Sequence, residues 1–120
     1  MLEVIGMSRI VTLFCQENSI GKEKARGLAH CIEELGVNII RHGFNDGNPH
    51  AIDVRILAKE KEIILRIRDD CRPFNPVNYY RIYEHDDNLE KNIGLRMVIK
   101  MTKSIKYVST MGTNNLVIKI

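Results

Sequence analysis

A chain of 120 residues with 44% hydrophobic and 28% charged side chains has room for one compact domain, and its composition excludes a disordered or fibrous polymer. With 6% aromatic residues and no tryptophan, the core must be mainly Ile, Leu, Val and Met. The formal charge of +3 is unevenly spread, 7 Lys/Arg against 8 Asp/Glu in residues 1–60 and 11 against 7 in residues 61–120, yet no basic run or aromatic ladder points to nucleic acid. The opening residues lack the basic region and apolar run of a signal peptide, and no stretch is apolar enough to span a bilayer. A cytoplasmic location without membrane insertion is expected, for a whole protein or for one domain cut from a longer one. A short helix is expected over Ser8 to Gln16, then a break at Glu17 to Gly21, then a longer helix from Lys22 to His42. Leu28, Ile32, Leu35 and Ile39 make one apolar stripe along that helix. Turn formers from Gly43 to Pro49 end it. Cys15, Cys31 and Cys71 form no CxxC pair, as expected of free thiols rather than a disulfide or zinc framework.

Two strands follow, Ala51 to Lys59 and Glu62 to Asp70, each with apolar residues at every second position and a short hairpin link between them. Cys71 to Lys91 is polar, with prolines at 73 and 76 and the acidic cluster Glu84 to Asp87, and reads as one long mobile loop of the kind that forms functional lids. A helix over Asn92 to Lys103 comes next, then strands Ile105–Ser109 and Leu116–Ile120 joined by a turn at Met111 to Asn114. This order predicts an α+β domain, a two-layer sandwich whose mixed, mostly antiparallel sheet carries helices on one face.

Four features carry chemistry. Glu34 and Asn38 lie one helical turn apart, and His42 extends the row beside the apolar stripe. The Glu34 and Asn38 oxygens suit Mg²⁺, and the carboxylate could serve as a base; the plain alternative is a solvated helix flank. Asp69 shares a strand face with Ile63, Leu65 and Ile67, which aims its carboxylate at the core side. A ligand donor such as an adenine amino group would satisfy it, or it caps its own turn. In the run Asp70-Cys71-Arg72-Pro73-Phe74-Asn75-Pro76 two prolines fix the exit from the strand and Phe74 offers an apolar surface, or the run is simply a rigid loop start. Asn92-Ile93-Gly94-Leu95 opens a helix, where free N–H groups favour phosphate, or where Asn92 is an ordinary N-cap.

Taken in order, these features resemble the GHKL (histidine-kinase-like) ATPases. Glu34-Leu35-Gly36-Val37-Asn38, with His42 and Gly43 after it, is similar to that family's N box. Asp69-Asp70-Cys71-Arg72-Pro73-Phe74 resembles its first glycine box, in the form found in anti-sigma-factor serine kinases. Ile93-Gly94-Leu95 resembles the second glycine box, and Gly112-Thr113-Asn114 the last turn of the pattern. The resemblance implies the Bergerat ATP-binding fold over a single domain, residues 1–120. It implies ATP and Mg²⁺ as cofactors, Asn38 as the metal ligand and Glu34 as base or water-mediated metal partner. Asp69 would accept from adenine, with His42, Cys71, Pro73 and Phe74 around the nucleotide. Ile93, Gly94 and Leu95 would face the phosphates, Thr113 would support the adenine end, and residues 77–93 would form the ATP lid. It further implies a regulatory protein partner of the sigma-factor or antagonist type, phosphorylated on serine, and a homodimer. Three departures are visible: Cys71 where the pattern has glycine, Lys91-Asn92 where it has a glycine pair, and only about seven residues ahead of the first helix, where a strand is usual. The first two suit a second reading, a non-catalytic nucleotide-sensing module of a larger signalling or membrane protein.

Overall fold

The computed structural model describes residues 13–43, 50–83 and 93–120. The start of the expected first helix, the turn at 44–49 and residues 84–92, with the acidic cluster and Lys91-Asn92, lie outside the described residues. Residues 13–17 are helical and turn at Asn18 and Ser19, where Ser19 takes a positive φ of 55°. Helix α1, Lys22–Gly43, starts where the Gly21 carbonyl accepts the Ala25 N–H at 2.9 Å. Glu23 in its first turn and Arg41 and His42 in its last complement the helix dipole. The stripe of Leu28, Ile32, Leu35 and Ile39 is buried as the spacing requires.

Strands β1 (Ile52–Ala58) and β2 (Ile63–Asp69) form the expected hairpin, closed by the Lys59 N–H donating to the Glu62 carbonyl at 2.8 Å. Strands β3 (Ser104–Thr110) and β4 (Thr113–Lys119) form a second hairpin. The sheet order is β1-β2-β4-β3, antiparallel throughout. Alternation turns Leu65, Ile67, Leu116 and Ile118 inward onto the buried stripe of α1. On the opposite face Arg66, Arg68, Leu57 and Val108 are exposed.

The stretch from Cys71 to Lys91 is not one loop. Pro76–Tyr83 forms helix α2, capped by Asn75, whose side-chain oxygen accepts the N–H groups of Val77 at 3.0 Å and Asn78 at 3.3 Å. Asn-Pro is an N-cap followed by a first helical position that needs no N–H, so the second proline starts a helix instead of breaking one. Helix α3, Ile93–Met101, packs on both α1 and α2. It stops short of Lys103, whose N–H donates instead to the Lys119 carbonyl at 2.7 Å. The β3–β4 turn is the tight pair Met111-Gly112, both at positive φ (51° and 77°), the conformation whose twist matches an antiparallel hairpin. Thr113 and Asn114, expected in the turn, therefore lie in β4. No helix among the described residues is long and apolar enough to cross a membrane.

Candidate functional site

The ends of α1 and β2 and the chain between β2 and α2 meet around one small hollow. Asn38 from α1, Asp69 from β2, Arg72 and Phe74 from the connection, Pro76 from the start of α2, and Tyr107 from β3 line it. Asn38 and Asp69 are buried polar residues, 6% and 8% exposed, and burying polar groups requires partners. The Asn38 amide donates to Glu34 Oε1 at 3.2 Å. Asp69 Oδ1 accepts the Cys71 N–H at 3.0 Å and the Asn114 amide at 2.8 Å. The other Asp69 oxygen takes no hydrogen bond among the described residues.

Asn114 organises this end of the sheet. The β2–β4 register sets it directly opposite Asp69. Its Nδ2 also donates to the Cys71 carbonyl at 2.8 Å, and its Oδ1 accepts from Ser109 Oγ at 2.6 Å and from Tyr107 at 3.2 Å. The Tyr107 hydroxyl in turn accepts the Phe74 N–H at 3.0 Å. Burial, with the charge of Asp69 adding to it, pushes the Tyr107 phenol above its ordinary value, so it stays protonated and keeps donating. Phe74 stacks on His42 with ring centroids 4.2 Å apart and planes 3° from parallel, and Tyr79 of α2 tilts against both. Burial and the neighbouring Arg41 both lower the pKa of His42, which favours the neutral ring in this stack. The hollow that remains holds about 10 Å³, far below the roughly 300–1,000 Å³ of small-molecule sites.

Glu34 reaches the other end of the site. Its carboxylate lies so close to Gly94, the second residue of α3, that a Cβ built there would overlap it. Free N–H groups and the dipole of α3 favour an anion at that end. The glycine is therefore required for close approach.

The remaining expected site residues are placed differently. Cys71 is buried in the core, not on the wall of the hollow. A Cβ on Gly43 would come within 2.6 Å of the Cys71 Cβ, so the glycine ending α1 makes the room that Cys71 fills. Thr113 is turned by strand alternation to the face opposite Asn114 and is not brought to the site. Leu95 is core, Pro73 is exposed and Ile93 is 57% exposed. Tyr107 was not anticipated, and Pro76 and Asn114 were read only as parts of motifs, although Asn114 stands at the same parity as Leu116 and Ile118 and so on the core side.

A sequence model of the histidine kinase-like ATPase domain matches residues 3–120, nearly the whole chain. The chain belongs to the histidine kinase-like ATPase family. Membership implies ATP binding for this ATPase domain, and the α+β fold with its antiparallel sheet agrees with it. No curated protein matches the chain significantly.

A test of the Glu34–Gly94 contact follows. Gly94→Ala gains up to about 1 kcal/mol of helix propensity but must displace the Glu34 carboxylate, a flexible group that yields at little cost. Chemical denaturation should show stability unchanged within about 1 kcal/mol, while ATP titration shows altered binding. If binding is also unchanged, the contact has no part in the site.

Proposed function

We propose that this domain binds ATP with Mg²⁺ and uses it to control a partner protein in the manner of the anti-sigma-factor serine kinases. The observation that carries the proposal is Asp69. A carboxylate at the core-facing end of a central strand, held through one oxygen by Cys71 and Asn114 with the other oxygen open, suits the amino group of adenine. Asn38 and Glu34 supply hard oxygen donors fit for Mg²⁺, which when bound would neutralise phosphate charge. The Asp-Asp-x-x-Pro-Phe form of residues 69–74 supports the anti-sigma branch. In that reading the γ-phosphate passes to a serine on the partner, and chemistry depends on positioning and charge neutralisation. The likeness to that branch also supports a homodimer.

Thermal melting with ATP and Mg²⁺ is the first test: ligand at 100-fold over Kd should add about 2.7 kcal/mol, and no shift would sink the proposal. Asp69→Asn should then weaken ATP by roughly tenfold to a hundredfold. The new amide keeps its oxygen towards Cys71 and Asn114 and sets its NH₂ against the adenine NH₂, removing a charge-assisted bond worth about 1.5–3 kcal/mol. Isothermal titration with ATP measures it; equal affinity in both proteins would remove Asp69 from the pocket.

A second reading, a nucleotide sensor that has lost transfer, is favoured by Cys71 and Lys91-Asn92 at glycine positions and by the narrowness of the hollow. Labelled ATP with a candidate partner separates the two, since only the kinase labels protein.

A further inference from the structure

Outside the proposed ATP site, His50, Asp70 and Cys71 bring three different donor types together. One ligand atom from each lies within 4.8 Å of the other two. His50 stands just ahead of β1, and Asp70 and Cys71 follow directly on β2, so β1–β2 pairing fixes their proximity: Ile52 is opposite Asp69. The Asp70 carboxylate is oriented through Oδ1, which accepts the Ala51 N–H at 3.1 Å and lies 3.2 Å from His50 Nδ1. Two ligands at neighbouring corners of a tetrahedron around zinc stand about 3.3 Å apart when the bonds are 2.0–2.1 Å. The observed pair, joined here by a hydrogen bond, has nearly that spacing, so an ion could replace the bond with little movement. The His50 side chain is only 8% exposed while that of Asp70 is 56% exposed, which gives an ion a route in from the Asp70 side.

We propose that His50, Asp70 and Cys71 form a binding site for a thiophilic divalent cation, Zn²⁺ by ligand type, separate from the Mg²⁺ that accompanies the nucleotide. Imidazole, carboxylate and thiolate are all ligands that zinc takes, whereas magnesium takes oxygen. Three protein ligands leave one corner of the tetrahedron for water. Binding would release the Cys71 thiol proton to solvent. It would clamp the entry to β1 onto the exit from β2, one residue away from Asp69. The glycine of the family pattern could supply no such ligand. Cys15 and Cys31 are separate from the cluster, and burial pushes the Cys31 thiol up to about 12.

The test uses the whole chain, stripped with chelator and free of nucleotide. Zn²⁺ is titrated in competition with a chromophoric chelator, and Co²⁺ serves as the spectroscopic probe. The proposal expects one equivalent bound, a thiolate-to-cobalt charge-transfer band and tetrahedral d–d intensity. Cys71→Gly should abolish that band, and His50→Gln should weaken zinc by at least about tenfold. Asp70→Asn, which keeps an oxygen to accept the Ala51 N–H, should abolish the zinc-dependent rise in Tm. Absence of stoichiometric zinc uptake overturns the site. So does uptake that is unchanged in Cys71→Gly and Asp70→Asn, which would put the ion elsewhere.

Discussion

Asn114→Ala should lower the unfolding free energy by about 3 kcal/mol and Tm by roughly 10 °C. The substitution removes two donations, to Asp69 and to the Cys71 carbonyl, and two acceptances, from Ser109 and Tyr107. Each net hydrogen bond is worth about 0.5–1.5 kcal/mol, but groups left buried without partners cost about 1–3 kcal/mol apiece. Water can reach exposed Ser109, which limits the total. Denaturant unfolding read by circular dichroism measures the loss. Asn114→Asp keeps the shape but sets a second carboxylate within hydrogen-bond distance of Asp69, and should be no better tolerated. A loss under 1 kcal/mol in both variants would show that the network contributes little net stability.

Glu34→Ala should reduce phosphoryl transfer, on the proposed kinase reading, by about 10²–10⁴-fold, the usual range for a positioned base. ATP binding measured without Mg²⁺ should move the other way or not at all. The carboxylate sits against Gly94 at the start of α3, where an anion gains about 0.3–1 kcal/mol from the dipole, and phosphate would compete for that end. Removing it should therefore leave metal-free ATP affinity equal or up to about fivefold tighter, whereas with Mg²⁺ the loss of a metal-holding oxygen opposes that gain. Glu34→Gln keeps an oxygen for the Asn38 amide and removes only the basicity. Equal loss of transfer in both variants identifies the base; full activity in the Gln protein assigns Glu34 a positioning role through Asn38. Transfer that persists in the Ala protein within threefold would falsify both roles.

Much of this arrangement was legible in the chain because it follows from short periods. Helical spacing gave the stripe of α1 and the row of Glu34 and Asn38, and strand alternation put Asp69 on the buried side of β2. What escaped was of two kinds. Helix α2 was hidden in a polar segment rich in Tyr and Asn, where prolines read as loop markers although Asn75-Pro76 is a start signal. The β3–β4 turn was drawn two residues too long, because Thr113 and Asn114 read as turn formers although Met111-Gly112 closes the hairpin alone. The fit of Cys71 against Gly43 and the reach of Tyr107 to Phe74 join residues about thirty positions apart. Local pattern carries no signal for such contacts.

The stack of His42, Phe74 and Tyr79 has a consequence for how fast and how tightly a nucleotide can enter. A purine cannot occupy 10 Å³, so on the proposed reading of this hollow as the adenine pocket, admission requires molecules in which Phe74, the member of the stack that lines it, has swung aside. The observed dissociation constant is then the intrinsic one divided by the fraction of such molecules. Association kinetics that level off at high ATP would report the opening rate itself.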